Sequence, residues 1–274
     1  MKTIGIIFNT EKHRARTEMS KLKEWLQKRK CKVVVLSSSE KKIPRLDLAL
    51  SLGGDGTMLK SSRMLAPLGI PVLGINMGSL GFLAETDPRD AYPFLEKVLG
   101  GDYTIDERLM LKVTIRSATR TITQLALNDC IIHSGNNGRV ITIGAGFDND
   151  FLADYIGDGL IIATPTGSTA YSLAASGPIV HPHLSVFVLT PICPHTLTQR
   201  PLIISTRRPL LLTVKLKSPR QKPVLSLDGQ MNYVVGPRDS ITLSAADQPL
   251  RLIANPQQKY FHILRTKLKW GERG

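Results

Sequence analysis

The stretch Leu46-Asp47-Leu48-Ala49-Leu50-Ser51-Leu52-Gly53-Gly54-Asp55-Gly56-Thr57 joins an apolar run to a glycine turn and decides the fold. The apolar run is typical of a strand buried on both faces. Glycine loses more backbone freedom on folding than other residues do, so three in one turn suggest that the backbone must approach a ligand closely. A strand, a glycine turn and a helix start place amide N–H groups around a phosphate, and Asp55 adds an acid/base group. A tight turn in which Asp55 only caps the helix is the simpler alternative.

The first hundred residues alternate strand and helix patterns around this stretch. Runs at 3–8 and 32–37 predict strands because they are rich in β-branched residues, and apolar residues at helical spacing lie between them. A helix over 56–66, a strand over 71–76 and a helix around 89–99 follow. This order predicts a Rossmann-like parallel sheet with helices on both faces, which binds ligands at the carboxyl ends of its strands.

From about residue 105 the pattern changes to short strand-like runs separated by turn residues. These runs are 109–116, 121–133, 139–146, 159–164, 186–190, 202–205, 210–217, 224–227, 232–235 and 240–244. Helical spacing is nearly absent apart from 168–175, so we predict an all-β, sandwich-like domain. We expect an α/β domain over 1–105, with 255–274 as a candidate completion of it, and a β-rich domain over 106–254.

Composition limits the class of protein. The chain has 274 residues, of which 42% are hydrophobic and 5% aromatic, as in a globular protein of two domains. The apolar runs are strand-sized, so no membrane span is expected. The three cysteines are scattered and no signal-peptide cleavage site follows the first apolar run, which favours the cytoplasm. The histidines and cysteines have no metal-ligand spacing.

The formal net charge of +14 raises the question of an anionic partner. The basic residues are spread along the chain without interleaved aromatic residues, which argues against a platform for single-stranded nucleic acid. A solvated basic face and attraction of polyphosphate ligands both remain open, and we expect no nucleic-acid partner.

Two further stretches carry polar groups beside predicted strands. Residues 157–172 combine a buried strand, a turn rich in small hydroxyl residues and the ring of Tyr171, which together suit a polar heterocycle. A capped turn with a core tyrosine is the alternative. The pair Asn128-Asp129 ends another apolar run and could accept hydrogen bonds from a ribose diol or an exocyclic amine, although a simple turn is the better explanation of the pair taken alone.

Together and in this order, these motifs resemble those of the NAD kinase family, the ATP-NAD 2′-phosphotransferases, over nearly the full length. The segments that carry the resemblance are 53–57, 76–82, 127–129, 158–178, 194–197, 200–202 and 228–230. The glycine turn alone is shared with diacylglycerol and sphingosine kinases. A lipid kinase of that type and a non-catalytic nucleotide-binding regulator are therefore the alternatives.

The resemblance implies transfer of the γ-phosphoryl group of ATP to the 2′-hydroxyl of the adenosine ribose of NAD. It also implies Mg²⁺ or another divalent cation, a dinucleotide-binding role for the β-rich domain, and a homodimer or homotetramer. Asp55 matches the general base, and no residue is matched to a metal. The positions matched to substrate contacts are Gly56, Phe82, Asn128, Asp129, Arg139, Asp158, Thr169, Ala170, Tyr171, Ser172, Ala174 and Gln230. Two positions depart from the family pattern, because Ile156 replaces a frequent Arg and Asp129 replaces a more frequent Glu.

Overall fold

The computed structural model of the protein describes residues 1–37, 40, 42–78, 81–84, 86–135, 140–148, 150–257 and 259–270. The chain divides into two compact units. The first comprises Met1–Glu107 and the segment from Leu250 onward, and the second is Arg108–Pro249. No helix in the described ranges is both long enough and apolar enough to cross a membrane.

The elements are numbered here in chain order. The earlier ones are β1 (Thr3–Phe8), α1 (His13–Lys28), β2 (Lys32–Leu36), β3 (Leu48–Gly53), α2 (Asp55–Leu65), β4 (Val72–Asn76), α3 (Pro88–Gly100), β5 (Thr104–Arg108), β6 (Leu111–Arg116), β7 (Thr121–Ala126), β8 (Asp129–His133) and β9 (Ile141–Phe147). The later ones are β10 (Asp150–Gly157), β11 (Gly159–Ala163), α4 (Tyr171–Ala174), β12 (Val186–Ile192), β13 (Leu202–Ser205), β14 (Leu210–Lys215), β15 (Val224–Leu227), β16 (Met231–Val234), β17 (Ser240–Ala245), β18 (Leu250–Ala254) and α5 (Tyr260–Leu268).

The first unit is built on a six-stranded sheet in the order β2-β1-β3-β4-β18-β5. Strands β1, β2, β3, β4 and β18 pair in parallel. Helices α1 and α3 share a core with Leu50 and Leu52 of β3. Ser51 points to the opposite face because side chains alternate along a strand, and there Ser61 of α2 lies 2.9 Å from it, Oγ to Oγ. Helices therefore cover both faces, which confirms the predicted α/β fold.

The second unit consists of two antiparallel six-stranded sheets. Their orders are β10-β9-β14-β17-β6-β7 and β13-β12-β11-β8-β15-β16. One hydrophobic core contains buried residues of both sheets, such as Ile143 and Leu243 of the first and Leu160 and Phe187 of the second. Two sheets that share one core form a sandwich, so the predicted β-rich fold is confirmed.

The structure differs from the sequence prediction in several features, and strands β5 and β10 were not predicted at all. The run 121–133 forms two strands in different sheets, because β7 pairs with β6 whereas β8 pairs with β11 and β15. The helix expected over 168–175 is a 3-10 turn at Thr166–Thr169 followed by the single turn α4, because Ala170 has the non-helical angles φ −97° and ψ −128°. Strand β18, which lies inside the predicted second domain (106–254), belongs to the first sheet.

Candidate active site

The glycine turn lies where β3 ends and α2 begins, at the carboxyl edge of the first sheet. A Cβ on Gly53 would overlap Oγ1 of Thr57 and lie 2.6 Å from its Cβ, so the tight turn needs glycine there. A Cβ on Gly54 would meet no atom within 4 Å. Packing among the described residues therefore does not require glycine at position 54, where a side chain would point into open space. Gly56, the second residue of α2, is exposed. This backbone is accessible to an anion at the start of a helix.

Asp55 is the first residue of α2, and its carboxylate binds the backbone that follows β4. Oδ2 accepts a hydrogen bond from the amide of Phe82 at 3.0 Å. Oδ1 accepts from the amides of Leu83 at 3.1 Å and Ala84 at 3.3 Å. The structure thus brings together Asp55 and Phe82, which the sequence assigned to one site, and three amides fix the direction of the carboxylate.

Two lysines that the sequence analysis did not single out lie near the same edge of this unit. The ammonium of Lys12 is 3.6 Å from the position that a Cβ on Gly78 would take, just after β4. The ammonium of Lys267, on α5, is 5.9 Å from the centre of the Phe82 ring. Lys12 could have been found from its place after the first predicted strand. Lys267 could not, because only the tertiary fold brings α5 to Phe82.

In the second unit, the turn 127–129 is held by Asp228. Its Oδ1 accepts from the amides of Asn128 at 2.8 Å and Asp129 at 3.3 Å, and its Oδ2 accepts from the amide of Leu127 at 3.1 Å. Asp228 has a φ of +52°, in the left-handed region that Asp tolerates better than most residues. Our site prediction omitted Asp228. The Asp-Gly sequence directly after a predicted strand is the signal that could have identified Asp228 as a site residue.

Asp129 carries a buried carboxyl group beside Asp228. Only 3% of the residue is exposed, and its Oδ1 has no hydrogen-bond partner among the described residues. Burial, and secondly the charge of Asp228, raise the pKa of Asp129 to about 7. Both forms of this carboxyl group are consequently populated near neutral pH.

The stretch after β11 is bonded to the same turn. Oγ1 of Thr164 donates to the carbonyl of Leu127 at 2.5 Å, and the Thr164 amide donates to the carbonyl of Asn128 at 2.8 Å. The amide of Gly167 donates to Thr164 Oγ1 at 3.1 Å. Three motifs that are far apart in sequence therefore form one network in this unit.

Two cavities open beside Tyr171, which is a lining residue of both. One has a volume of about 470 Å³ and is lined by Asp158, His133, Ser134 and Gly229, among others. The other, of about 530 Å³, is lined by Ala174, Cys193 and Arg200, among others. Both volumes are in the range of small-molecule sites. Asp158 and Tyr171, which the sequence assigned to one pocket, thus line one cavity.

The remaining predicted residues occupy other positions. The hydroxyl of Ser172 is fully buried and 2.8 Å from that of Thr190, so it braces α4 against β12. Thr169 Oγ1 donates to the carbonyl of Thr166 at 3.3 Å, and Ala170 separates the 3-10 turn from α4. Gln230 is half-buried in the turn between β15 and β16. Arg139 lies outside the described residues. Ile156, the departure from the family pattern, accepts a backbone hydrogen bond from His195 at 2.9 Å.

Comparisons with known proteins agree along the whole chain. Residues 40–103 match the family model of the ATP-NAD kinase N-terminal domain, and residues 127–255 match that of the ATP-NAD kinase C-terminal domain. The NAD kinase of Geotalea daltonii is 46% identical over 228 residues, which is 83% of this chain and 80% of that protein. The NAD kinase of Trichlorobacter lovleyi is 41% identical over 286 residues, which covers 100% of both chains.

Two solved structures are similar over most of the chain. Yeast NADH kinase complexed with NADH superposes with a TM-score of 0.90 at 25% identity, covering 100% of this chain and 89% of that one. An NAD kinase from Archaeoglobus fulgidus in complex with ATP gives a TM-score of 0.79 at 25% identity, covering 97% of this chain and 98% of that one.

Proposed function

The chain belongs to the ATP-NAD kinase family and is a phosphotransferase, and we propose that Asp55 receives the proton of the attacking ribose hydroxyl. The reaction moves the γ-phosphoryl group of ATP to the 2′-hydroxyl of the adenosine ribose of NAD. The lipid-kinase and regulator alternatives are set aside because the relatives named above are NAD or NADH kinases. The observation that carries the proposal is the Asp55 carboxylate, held by three amides next to an open glycine turn.

Asp55 suits the demands of phosphoryl transfer. The transition state is loose and spreads charge over the transferred group, so catalysis depends mainly on positioning and on neutralising charge. A carboxylate cannot deprotonate an alcohol outright. It can orient the hydroxyl and accept the proton late, as the bond to phosphorus forms, a contribution of typically about 10²–10⁴-fold.

The donor phosphates are assigned to the glycine turn. The backbone around Gly54 is open, the N-terminus of α2 favours an anion, and the ammonium of Lys12 lies at the end of the neighbouring strand. A solvated lysine attracts phosphate as a point charge. The position of Lys12 supports the proposal that part of the basic charge of the chain attracts a polyphosphate ligand.

The dinucleotide is assigned to the second unit. The ring of Tyr171 offers a flat surface to a base, and the carboxylate of Asp158 in the same cavity can accept from an exocyclic amine. The half-buried Asn128 provides an acceptor for a ribose hydroxyl, and the buried Asp129, whose Oδ1 has no partner among the described residues, is proposed to accept from a second one once a ligand displaces its cover. Asp228 fixes the backbone of both. Thr169, Ala170, Ser172, Ala174 and Gln230 are proposed to border the dinucleotide through backbone or side chain. Arg139 remains a prediction from the resemblance.

A divalent cation is expected at the glycine turn together with the phosphates of ATP. No three His, Cys, Asp or Glu residues of the described ranges lie together as a metal site. Mg²⁺ needs no such cage, because it commonly binds through one or two carboxylates and the substrate phosphates. At this turn the ligands would come from the phosphates of ATP and from solvent, because the open position of the half-buried Asp55 carboxylate is assigned to the ribose hydroxyl. When bound, the cation neutralises charge on the transferred phosphoryl group.

Assembly and location are further parts of the proposal. We expect a homodimer or homotetramer in the cytoplasm, as the family resemblance implies. The cysteines Cys31, Cys130 and Cys193 are all unpaired, which suits a reducing compartment. Light scattering after gel filtration would measure the assembly, and a single monomeric species would contradict it.

The test of the function is formation of NADP from NAD, ATP and Mg²⁺. The wild-type protein should form NADP, whereas Asp55→Asn should lose about 10²–10⁴-fold in turnover. Binding of NAD, followed by calorimetry, should persist because Asn has the shape of Asp and its oxygen can still accept from the amides of Leu83 and Ala84, so that only the bond from Phe82 is lost. The exposed Asp102→Asn is the matched control and should retain full activity. Near-normal turnover of Asp55→Asn would remove Asp55 from the mechanism, and phosphorylation of a lipid without any NADP would overturn the assignment.

A further inference from the structure

Gly81 lies against the Asp55 carboxylate, closer than any side chain would allow. A Cβ at this position would overlap Oδ1 of Asp55 and lie 2.7 Å from its Cγ and 2.9 Å from its Oδ2. Cβ atoms in proteins essentially never approach another heavy atom within 3.0 Å. Any residue other than glycine would therefore displace either the carboxylate or the backbone of 81–84.

A second glycine, Gly74, also allows the segment 82–84 to lie close to Asp55. A Cβ on Gly74, in β4, would lie 2.9 Å from Cα of Ala84 and 3.0 Å from the carbonyl oxygen of Leu83. These are backbone atoms, which cannot rotate away as a flexible side chain can. Gly74 and Gly81 together let the segment 82–84 fit between the sheet and Asp55, where its amides reach the carboxylate.

The hydrogen bonds distinguish the two oxygens of Asp55. An ionised carboxylate has about four lone-pair positions, two on each oxygen. Oδ1 accepts from Leu83 and Ala84, which occupies both of its positions, whereas Oδ2 accepts only from Phe82 among the described residues. Oδ2 keeps one position for a substrate hydroxyl.

We propose that Gly81 is a positioning residue for the phosphoryl transfer, because its missing Cβ lets the amides of 82–84 turn Oδ2 of Asp55 towards the ribose hydroxyl. The inference rests on the proposed function of Asp55. Gly81 acts only through that carboxylate, so it need not touch either substrate. A displacement of about 1 Å at a reacting group is enough to cost about 10²-fold in rate.

The first test is Gly81→Ala, with NADP formation and NAD binding measured on the full-length protein. We expect kcat to fall at least about 100-fold, while the KM for NAD changes less than about threefold. Calorimetry should give an unchanged NAD binding stoichiometry, which excludes a loss of folded protein. The control is Gly100→Ala at the end of α3, where a Cβ would meet no atom within 4 Å, and it should have wild-type kcat.

The second test separates contact with the carboxylate from a general structural role. In the wild-type background Gly81→Ala should lower the thermal midpoint, because the new methyl group overlaps Asp55. In an Asp55→Ala background the overlapping oxygens are absent, so the same substitution should lower the midpoint by much less. Equal losses in both backgrounds, or a normal kcat of Gly81→Ala, would overturn the inference. The proposed function fails separately, if Asp55→Asn stays active.

Discussion

At the scale of single residues, Asp129 has a strongly perturbed carboxyl group. It is buried at the first position of β8, and its charge interacts with the carboxyl group of Asp228 and with the thiol of Cys130. Burial and the Asp228 charge raise the pKa of Asp129 from 3.8 to about 7. This environment disfavours the charged form, so protonation of Asp129 must stabilise the folded chain.

The pH dependence of stability follows from this shift. Below about pH 4 the carboxyl is protonated in folded and unfolded chains alike. Between about pH 4 and 7 only the folded chain keeps the proton, so the free energy of unfolding falls as pH rises and levels off above about pH 7. A shift of about three pKa units sets an upper limit of about 4 kcal/mol.

Asp129→Asn should remove most of this slope, because the amide cannot ionise. Urea unfolding at pH 5, 6, 7 and 8 would measure it, and the variant should gain most over the wild type at pH 8. The exposed Asp102→Asn should leave the slope unchanged. A wild-type slope in Asp129→Asn would show that another group, such as Asp228, titrates instead.

At the scale of elements, the sequence pattern correctly predicted the helices and strands whose limits are set by neighbouring residues. The apolar run and the glycines predicted a strand over 46–52 and a helix over 56–66, and β3 and α2 lie within two residues of these bounds. The run 121–133 was wrongly joined because both halves have strand composition. The break comes from bonds to Asp228 and Thr164, which lie about a hundred and about forty residues further along the chain. A prediction from neighbouring residues cannot include partners that lie so far away along the chain.

The turn at 127–129 also depends on close backbone packing at Gly167. A Cβ there would overlap the carbonyl oxygen of Asn128 and lie 2.5 Å from its carbonyl carbon and 2.7 Å from its Cα. We therefore expect Gly167→Ala to lower the free energy of unfolding by about 1–3 kcal/mol and to weaken NAD binding in calorimetry. Gly236→Ala is the control, because its Cβ would meet only Asp239 Oδ2 at 3.9 Å. Unchanged stability and affinity of Gly167→Ala would contradict this packing.

At the scale of the whole molecule, the chain leaves the first unit after β5 and returns to it at β18. Sequence pattern could not predict this return, because Leu250-Arg251-Leu252-Ile253 would suit a strand in either unit. Burial settles its place, since Ile253 belongs to the same core as Leu50 of β3. The return also explains why Lys267 was missed, because α5 follows β18 and belongs to the unit that carries Phe82.

The return strand has a consequence for how the first unit folds. Strand β18 lies between β4 and β5 and buries Leu250, Leu252 and Ile253, so a fragment of residues 1–107 loses the strand that separates these two. We expect this fragment to lack cooperative urea unfolding by circular dichroism. Joined through a flexible linker of about 15 residues to 250–270, it should unfold cooperatively, because the strand and α5 are restored.

The control is the same fusion with Leu252→Asp and Ile253→Asp, which keeps the length but removes the apolar contacts of β18 with the sheet. It should behave like the fragment without the strand, since two buried charges without partners cost more than the pairing gains. If residues 1–107 alone unfold cooperatively, and their free energy of unfolding equals that of the linked fusion, then β18 contributes little to the stability of the first unit. In that case residues 1–107 would fold without the second unit and without β18. Strand β18 would then only extend a sheet that is already stable.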